Sequence, residues 1–189
     1  MKLYDNGKFG LTDRVSDYIP VLKGTGKERI TIEELLMHQS GLPAFWPFYK
    51  KAIDEESYAG AFYRTRPDAG HHRQIDTRLF VIDHFGYKKE LVSKVFSSDY
   101  PLLVSDSMYL HRSFRDSVLQ QIAGVPLKDR RYRYSDLNFI LLREIVENIT
   151  KIPMNIFLQK EFYKPMKMEH TLFLPLRRFA KDEIVPTVK

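Results

Sequence analysis

Tyr134, Ser135 and Asp136, preceded by Arg131 and Arg133, stand directly before the most apolar helical run of the chain. A phenol, a hydroxyl and a carboxylate within three residues could form one corner of an active site, where the phenol shuttles a proton and the acid orients a partner. The same residues also make a helix start, because Ser135 or Asp136 can accept a hydrogen bond from an unpaired backbone N–H. Capping accounts for the serine and the aspartate. It leaves Tyr134 unexplained, since a phenol where a loop meets a helix can face a cleft. Other candidates are weaker. Ser40 precedes Gly41 and reads as a backbone-bonding turn residue rather than a nucleophile. His71, His72, Asp76 and His84 suggest a metal site, but adjacent histidines cannot share one helical face and no H-E-x-x-H occurs, so exposed or capping histidines are the better reading. Phe45, Trp46, Phe48 and Tyr49 could line a pocket, although large aromatics more often pack a core.

Several elements must hold these residues. Leu137, Ile140, Leu141, Ile145, Val146 and Ile149 recur at helical spacing, with Arg143, Glu144 and Glu147 on the wetter face. Thr31 and Glu34 fit a capping box for a short helix that buries Leu35 and ends before Gly41. Met1 to Asn6 followed by Gly7 reads as the last turn of a helix, which is the expectation for a chain that is part of a longer one. Residues 105 to 123 predict an amphipathic helix through Met108, Leu110, Phe114, Val118, Leu119 and Ile122, stopped by Gly124 and Pro126. Another helix is expected from Pro153, burying Ile156, Phe157 and Phe162 until Pro165. Residues 44 to 103 are least regular, with strand-like runs on either side of Gly86 that admit a peripheral hairpin. The segment from Thr171 to Lys189 reads as extended.

Composition bounds the answer. The 189 residues are 43% hydrophobic and 13% aromatic, which describes a globular chain of one domain, incomplete at that, and excludes a disordered one. A net charge of +6 favours anionic partners. Its densest point is Lys128, Arg130, Arg131 and Arg133, interleaved with Tyr132 and Tyr134; so short a cluster argues against a nucleic-acid partner. The absence of cysteine excludes disulfide and thiolate chemistry. No stretch approaches the roughly 18 apolar residues of a membrane span.

Three blocks in order carry a resemblance: "GKFGLTDRVSDYIP", "ITIEELLMHQSGLP" and "YRYSDLNFILLREIVENITKIPMNIFLQKEFYKPMKMEHTLFLP". His38-Gln39-Ser40-Gly41-Leu42 is similar to an H-T-S-G-L helix end, Tyr134-Ser135-Asp136 to a Tyr-x-Asn element, and Phe162 to Thr171 to an F-x-PLGM-x-x-T ending. Together these resemble the serine β-lactamase and penicillin-binding-protein (transpeptidase-like) family, in its class C-type esterase and D-alanyl-D-alanine-peptidase-like branch. The resemblance covers residues 1–48 and 125–175, leaving 49–104 as an insertion in a single partial domain, 1–189.

The resemblance implies a mainly α chain, the helical region of that fold, with a possible small hairpin in the insertion and most of the central sheet absent. It implies Tyr134 and Asp136 as catalytic residues, no cofactor and no metal. The implied partners are an acyl ester, amide or peptide-like small molecule together with the remainder of the parent chain, and the implied setting is the periplasm or cell envelope of a bacterium. His38 matches a structural histidine of the family. Two departures matter. Asp136 stands where the family has asparagine, and an ionised carboxylate accepts but does not donate, which suits an ester or peptide better than a β-lactam side chain. No Ser-x-x-Lys occurs in the 189 residues, and no K-T-G follows Tyr134. The expectation is a fragment of a serine hydrolase that is inactive alone; the alternative is a non-catalytic binding or scaffold module contacting an anionic polymer.

Overall fold

Apolar spacing and charge pairing build the first of two units. The structure, a computed structural model, describes residues 1–105 and 107–185. It divides into a unit of Met1–Trp46 with Arg115–Phe173 and a second of Pro47–Phe114 with the segment from Leu174 onward.

In the first unit, α1 (Lys2–Asp5) ends as expected at Gly7, whose φ of 63° suits glycine. A loop leads to α2 (Val15–Tyr18) and α3 (Ile32–Leu36). Thr31 caps α3 as its sequence predicts, since the Glu34 N–H donates to the Thr31 hydroxyl at 3.2 Å and the Thr31 N–H to the Glu34 carboxylate at 2.9 Å. Then follow α4 (Ser113–Gly124), α5 (Asp136–Thr150) and α6 (Met154–Leu158). The central helix is α5, packed against α2, α3 and α6. Its Leu137, Leu141 and Ile145 are buried with Val15, Ile19, Ile32, Leu35 and Ile122. Each such side chain contributes about 1.5–3 kcal/mol when fully removed from water. Helix α5 stops where Lys151 turns left-handed at φ 58° and its N–H returns to the Glu147 carbonyl, two residues before Pro153. In α6, Phe157 is buried but Ile156 is exposed, contrary to its expected core role.

Three polar contacts, part-buried or buried, tie these helices together. Asn148 donates to the Tyr18 carbonyl at 2.9 Å, joining α5 to α2. The buried Lys27 ammonium donates to the Ala123 carbonyl at 2.9 Å, placing a cation at the C-terminal end of α4, where the helix dipole favours it. Burial pushes the Lys27 ammonium below its usual pKa. Third, Glu144 and Glu147 are not on a wet face: both are buried, Glu144 to 2% exposure. Arg115 of α4 binds Glu144 through Nη2 and, at 2.7 Å, through Nε, and it reaches Glu147 at 3.1 Å. Arg143 meets Glu147 at 3.0 Å. Pairing is what permits the burial.

The second unit corrects the expected mainly α class. Among the described residues it contributes eight short strands in three antiparallel sheets, so the chain is mixed α and β. The strands are β1 (Ile53–Asp54), β2 (Tyr63–Arg64), β3 (Arg73–Asp76), β4 (Leu79–Val81), β5 (Gly86–Tyr87), β6 (Val92–Ser93), β7 (Leu102–Ser105) and β8 (Met108–Leu110). They pair as β1-β5, β2-β4-β3 and β6-β8-β7. Where one hairpin was expected there are three sheets, and Met108 and Leu110 lie in a strand rather than in the helix, which begins only at Ser113. Strands of two to four residues offer too short a window for a period of two to declare itself. Edge-to-face rings link the sheets, Phe62 with Phe85 at 5.0 Å and Phe85 with Tyr87 at 5.3 Å. The segment expected to be extended holds 3-10 turns at Pro175–Arg177 and Lys181–Glu183, and its last four residues lie outside the described residues.

His71 is buried at 5% exposure, with Nδ1 2.7 Å from an Asp68 carboxylate oxygen and Nε2 2.8 Å from the Ala61 carbonyl. Both neighbours accept, so both ring nitrogens donate and the ring is an imidazolium. The Asp68 hydrogen bond, with the Ala61 carbonyl, raises the His71 pKa above its ordinary 6.5; Arg64 beside Asp68 opposes this.

Two outcomes follow from these contacts. Arg115→Met leaves the buried Glu144 carboxylate only the 3.7 Å approach of Arg143 and lowers the unfolding free energy by about 2–3 kcal/mol, measured by urea denaturation, with Arg115→Met/Glu144→Leu recovering most of the loss. For His71, a folded pKa above the unfolded one means full stabilisation below pH 6.5, lost as pH rises through the folded value. Amide exchange of residues 61–71 therefore accelerates over that rise beyond its intrinsic base-catalysed increase, and His71→Gln removes the excess.

Candidate active site

The loop after α3 and the loop before α5 are laced together by main-chain bonds. The Lys128 N–H donates to the Gly41 carbonyl at 2.8 Å, Arg133 N–H to the His38 carbonyl at 2.8 Å, and Asp136 N–H to the Ala44 carbonyl at 2.9 Å. Gly41 is required there: its φ is 77°, and a Cβ would sit 2.5 Å from the Lys128 carbonyl oxygen.

Asn138, fully buried in the first turn of α5, joins both loops through its side chain. Its carbonyl oxygen accepts the Ser40 hydroxyl at 2.7 Å, and its amide nitrogen lies 3.2 Å from the Leu35 carbonyl and 3.0 Å from His38 Nδ1. The Ser135 N–H also points at His38 Nδ1, from 3.2 Å. Two N–H donors converging on Nδ1 assign it as the acceptor, with the ring hydrogen on Nε2. His38 itself adopts a left-handed φ of 54°.

On this platform lies Tyr134. Its ring rests on the His38 imidazole at 4.7 Å and 34°, with Phe139 edge-on to the same imidazole at 5.3 Å. Tyr134 is nonetheless 53% exposed. A phenol held by its ring and open to solvent can exchange a proton with a group brought to it.

Of the residues singled out in the sequence, His38, Ser40 and Tyr134 meet in this cluster. Asp136 is the exposed first residue of α5, where its charge favours the helix start. Ser135 is the N-cap residue, but its hydroxyl donates to the Pro43 carbonyl at 2.7 Å instead of accepting from the helix. Ser40 is a turn residue as expected, accepting the Leu42 N–H at 3.2 Å while donating to Asn138. Both serines are buried with their hydroxyl hydrogens engaged, so neither is placed to attack a substrate. Asn138 escaped notice, although a polar residue beside Leu137 and one turn before Leu141 and Leu142 was a readable anomaly.

Elsewhere, His71 and His72 bind different acids, the latter meeting Asp83 at 2.6 Å. The described residues contain no group of three or more His, Asp or Glu that could hold a metal ion. Phe45 and Tyr49 are exposed rather than core. In the basic cluster, Arg130 pairs with Glu34 at 2.9 Å and Arg131 with Asp129 at 3.4 Å.

Comparison with known proteins gives this cluster its context. The Beta-lactamase family model matches residues 1–182, and the chain belongs to that family of β-lactamase and penicillin-binding-protein-like hydrolases. The resemblance read from the sequence is thereby borne out. The chain is 25% identical over 191 residues to the N-acetylmuramyl-L-alanine amidase of Bacillus subtilis (strain 168), covering 96% of this chain and 31% of that protein. It is also 25% identical over 196 residues to a Salmonella heidelberg (strain SL476) protein provisionally named a D-alanyl-D-alanine carboxypeptidase, covering 98% and 33%. The octameric penicillin-binding protein homologue from Pyrococcus abyssi shares the fold with a TM-score of 0.52 at 18% identity, over 96% of this chain and 31% of that one. The chain thus spans about a third of the length of the curated relatives it matches.

Gly41→Ala, which forces a methyl against the Lys128 carbonyl in a left-handed turn, is expected to destabilise the first unit by more than about 2 kcal/mol. Ser40→Ala, which leaves the Asn138 carbonyl without its donor, costs about 1–2 kcal/mol in the same denaturant measurement.

Proposed function

We propose that the chain is the Tyr134-bearing middle portion of a serine acyl hydrolase, inactive on its own, whose intact form transfers an acyl group from an amide, ester or peptide-like substrate to serine and then to water. Membership of the Beta-lactamase family and the exposed Tyr134 ring held on His38 carry this reading. Tyr134 serves as the proton shuttle for a nucleophile supplied by a Ser-x-x-Lys element of the parent protein. Asp136 serves as an orienting acceptor beside it. Preference for amide or peptide-like compounds draws support from the two curated relatives, named an amidase and a carboxypeptidase. A setting in the bacterial periplasm or cell envelope accords with those names, and no described helix is long and apolar enough to cross a membrane. The segment 49–104 is an insertion on this scaffold.

The decisive experiment reads the source gene on both sides of the codons for Met1 and Lys189 and labels its products with a fluorophosphonate. An in-frame Ser-x-x-Lys upstream is expected, with labelling of the longer product and none of the 189-residue chain. Tyr134→Phe in the longer product slows labelling about a hundredfold, within the usual range for losing a proton-transfer group, while Asp136→Asn changes which acyl compounds are turned over. A gene without Ser-x-x-Lys, or labelling indifferent to Tyr134→Phe, overturns the proposal. Salt-sensitive binding of an anionic polymer by such a gene product would then favour the binding-module reading.

A further inference from the structure

The second unit carries a cavity of about 470 Å³ that is open to solvent on one side, a volume in the range of small-molecule sites. All three sheets contribute walls: Tyr87 from β5, Val81 from β4, and Val92 and Met108 from β6 and β8, with Phe62 and Phe85 between them. These walls are overwhelmingly apolar. The polar groups are few and gathered around one residue, Tyr63. In the β2-β4-β3 sheet, Tyr63 and Arg73 both stand opposite Val81, so the three form one cross-strand row on the same face. Arg73 therefore lies on the cavity side, and it lines the cavity. The Tyr63 hydroxyl is hydrogen-bonded to that of Tyr49, and the Lys50 ammonium lies 5.8 Å from the centre of the Tyr63 ring.

Arg73 forms no ion pair among the described residues, unlike Arg64 and Arg112 of the same unit, and it is the one lysine or arginine among the described residues that lines the cavity. An unpaired arginine in the wall, a lysine beside the wall residue Tyr63, and the Tyr49–Tyr63 phenols thus accompany an apolar cavity. That combination is complementary to a molecule with an anionic head and an apolar tail: the tail gains by leaving water, and the head finds charge-assisted donors. A neutral apolar ligand would leave the cations without a role, and a cationic one would be repelled.

We propose that this cavity binds a single-chain anionic amphiphile, a carboxylate carrying an aliphatic or aromatic tail, with the tail between the sheets and the head at Arg73 and Lys50. The site is independent of the acyl-transfer reading and is built entirely within the second unit.

Isothermal titration of the 189-residue chain with decanoate below its micellar concentration tests this. One saturable site is expected, with decyltrimethylammonium, of equal tail and opposite head, at least tenfold weaker. Arg73→Gln weakens decanoate about tenfold, and Arg73→Glu, a change at an exposed position that leaves the fold intact by circular dichroism, removes detectable binding. Val104→Trp, also at an exposed wall position, fills the cavity and abolishes binding of both compounds. Absence of decanoate binding, equal affinity for the two heads, or undiminished binding by folded Arg73→Glu overturns the proposal. So does concentration-dependent self-association that decanoate fails to reverse, because the face would then be covered by a second copy of the chain.

Discussion

The amide of Asn138 has no access to water, so its hydrogen-bonding groups must be met by protein or left unmade at a cost of about 1–3 kcal/mol each. Ser40, Leu35 and His38 meet them. Because these three belong to α3 and the loop after it, while Asn138 belongs to α5, one side chain fixes the spacing between the two elements that carry the candidate site. His38, whose backbone is left-handed, is fixed at its ring by the Asn138 amide, and that ring in turn supports Tyr134. The exposed phenol owes its position to a buried amide beneath it. Polar groups inside a core specify geometry in a way that apolar packing does not, since they are satisfied in one arrangement only.

Ion pairing plays the corresponding part on the other side of α5. Arg115 and Arg143 bring Glu144 and Glu147 into the interior, and Glu147 also accepts the Met154 N–H at 2.8 Å, so the network reaches from α4 through α5 to the start of α6. Lys27 does the same work for the end of α4 with a single ammonium. These are costly contacts to desolvate. They set helix register more than they add net stability.

Local signals with a mechanism were legible in the sequence. Thr31 and Glu34 announced the capping box, Gly7 the end of α1, and the leucines and isoleucines of 137–149 the central helix. The Tyr134 corner was visible as a phenol that capping did not explain. What escaped depends on partners distant in sequence. Glu144 and Glu147 look solvent-facing by type and become buried only because Arg115, some thirty positions earlier, arrives beside them. Met108 and Leu110 satisfy a helical and an alternating pattern equally, and only their pairing with β6 and β7 decides for a strand. Ser135 shows the same effect at one atom: intrinsic preference makes it a cap, yet the Pro43 carbonyl claims its hydroxyl.

Small sheets leave edges, and β3 is one. Its four residues, Arg73 to Asp76, are all exposed, and it pairs on one side only, with β4. Such a strand presents unpaired peptide groups to any other extended chain. Here the two ends carry opposite charges, and the pairing register slips between Gln74 and Asp76. An incoming strand would have to bury an arginine and an aspartate and follow an irregular ladder, so the sheet resists growth at the place where it could otherwise seed aggregation.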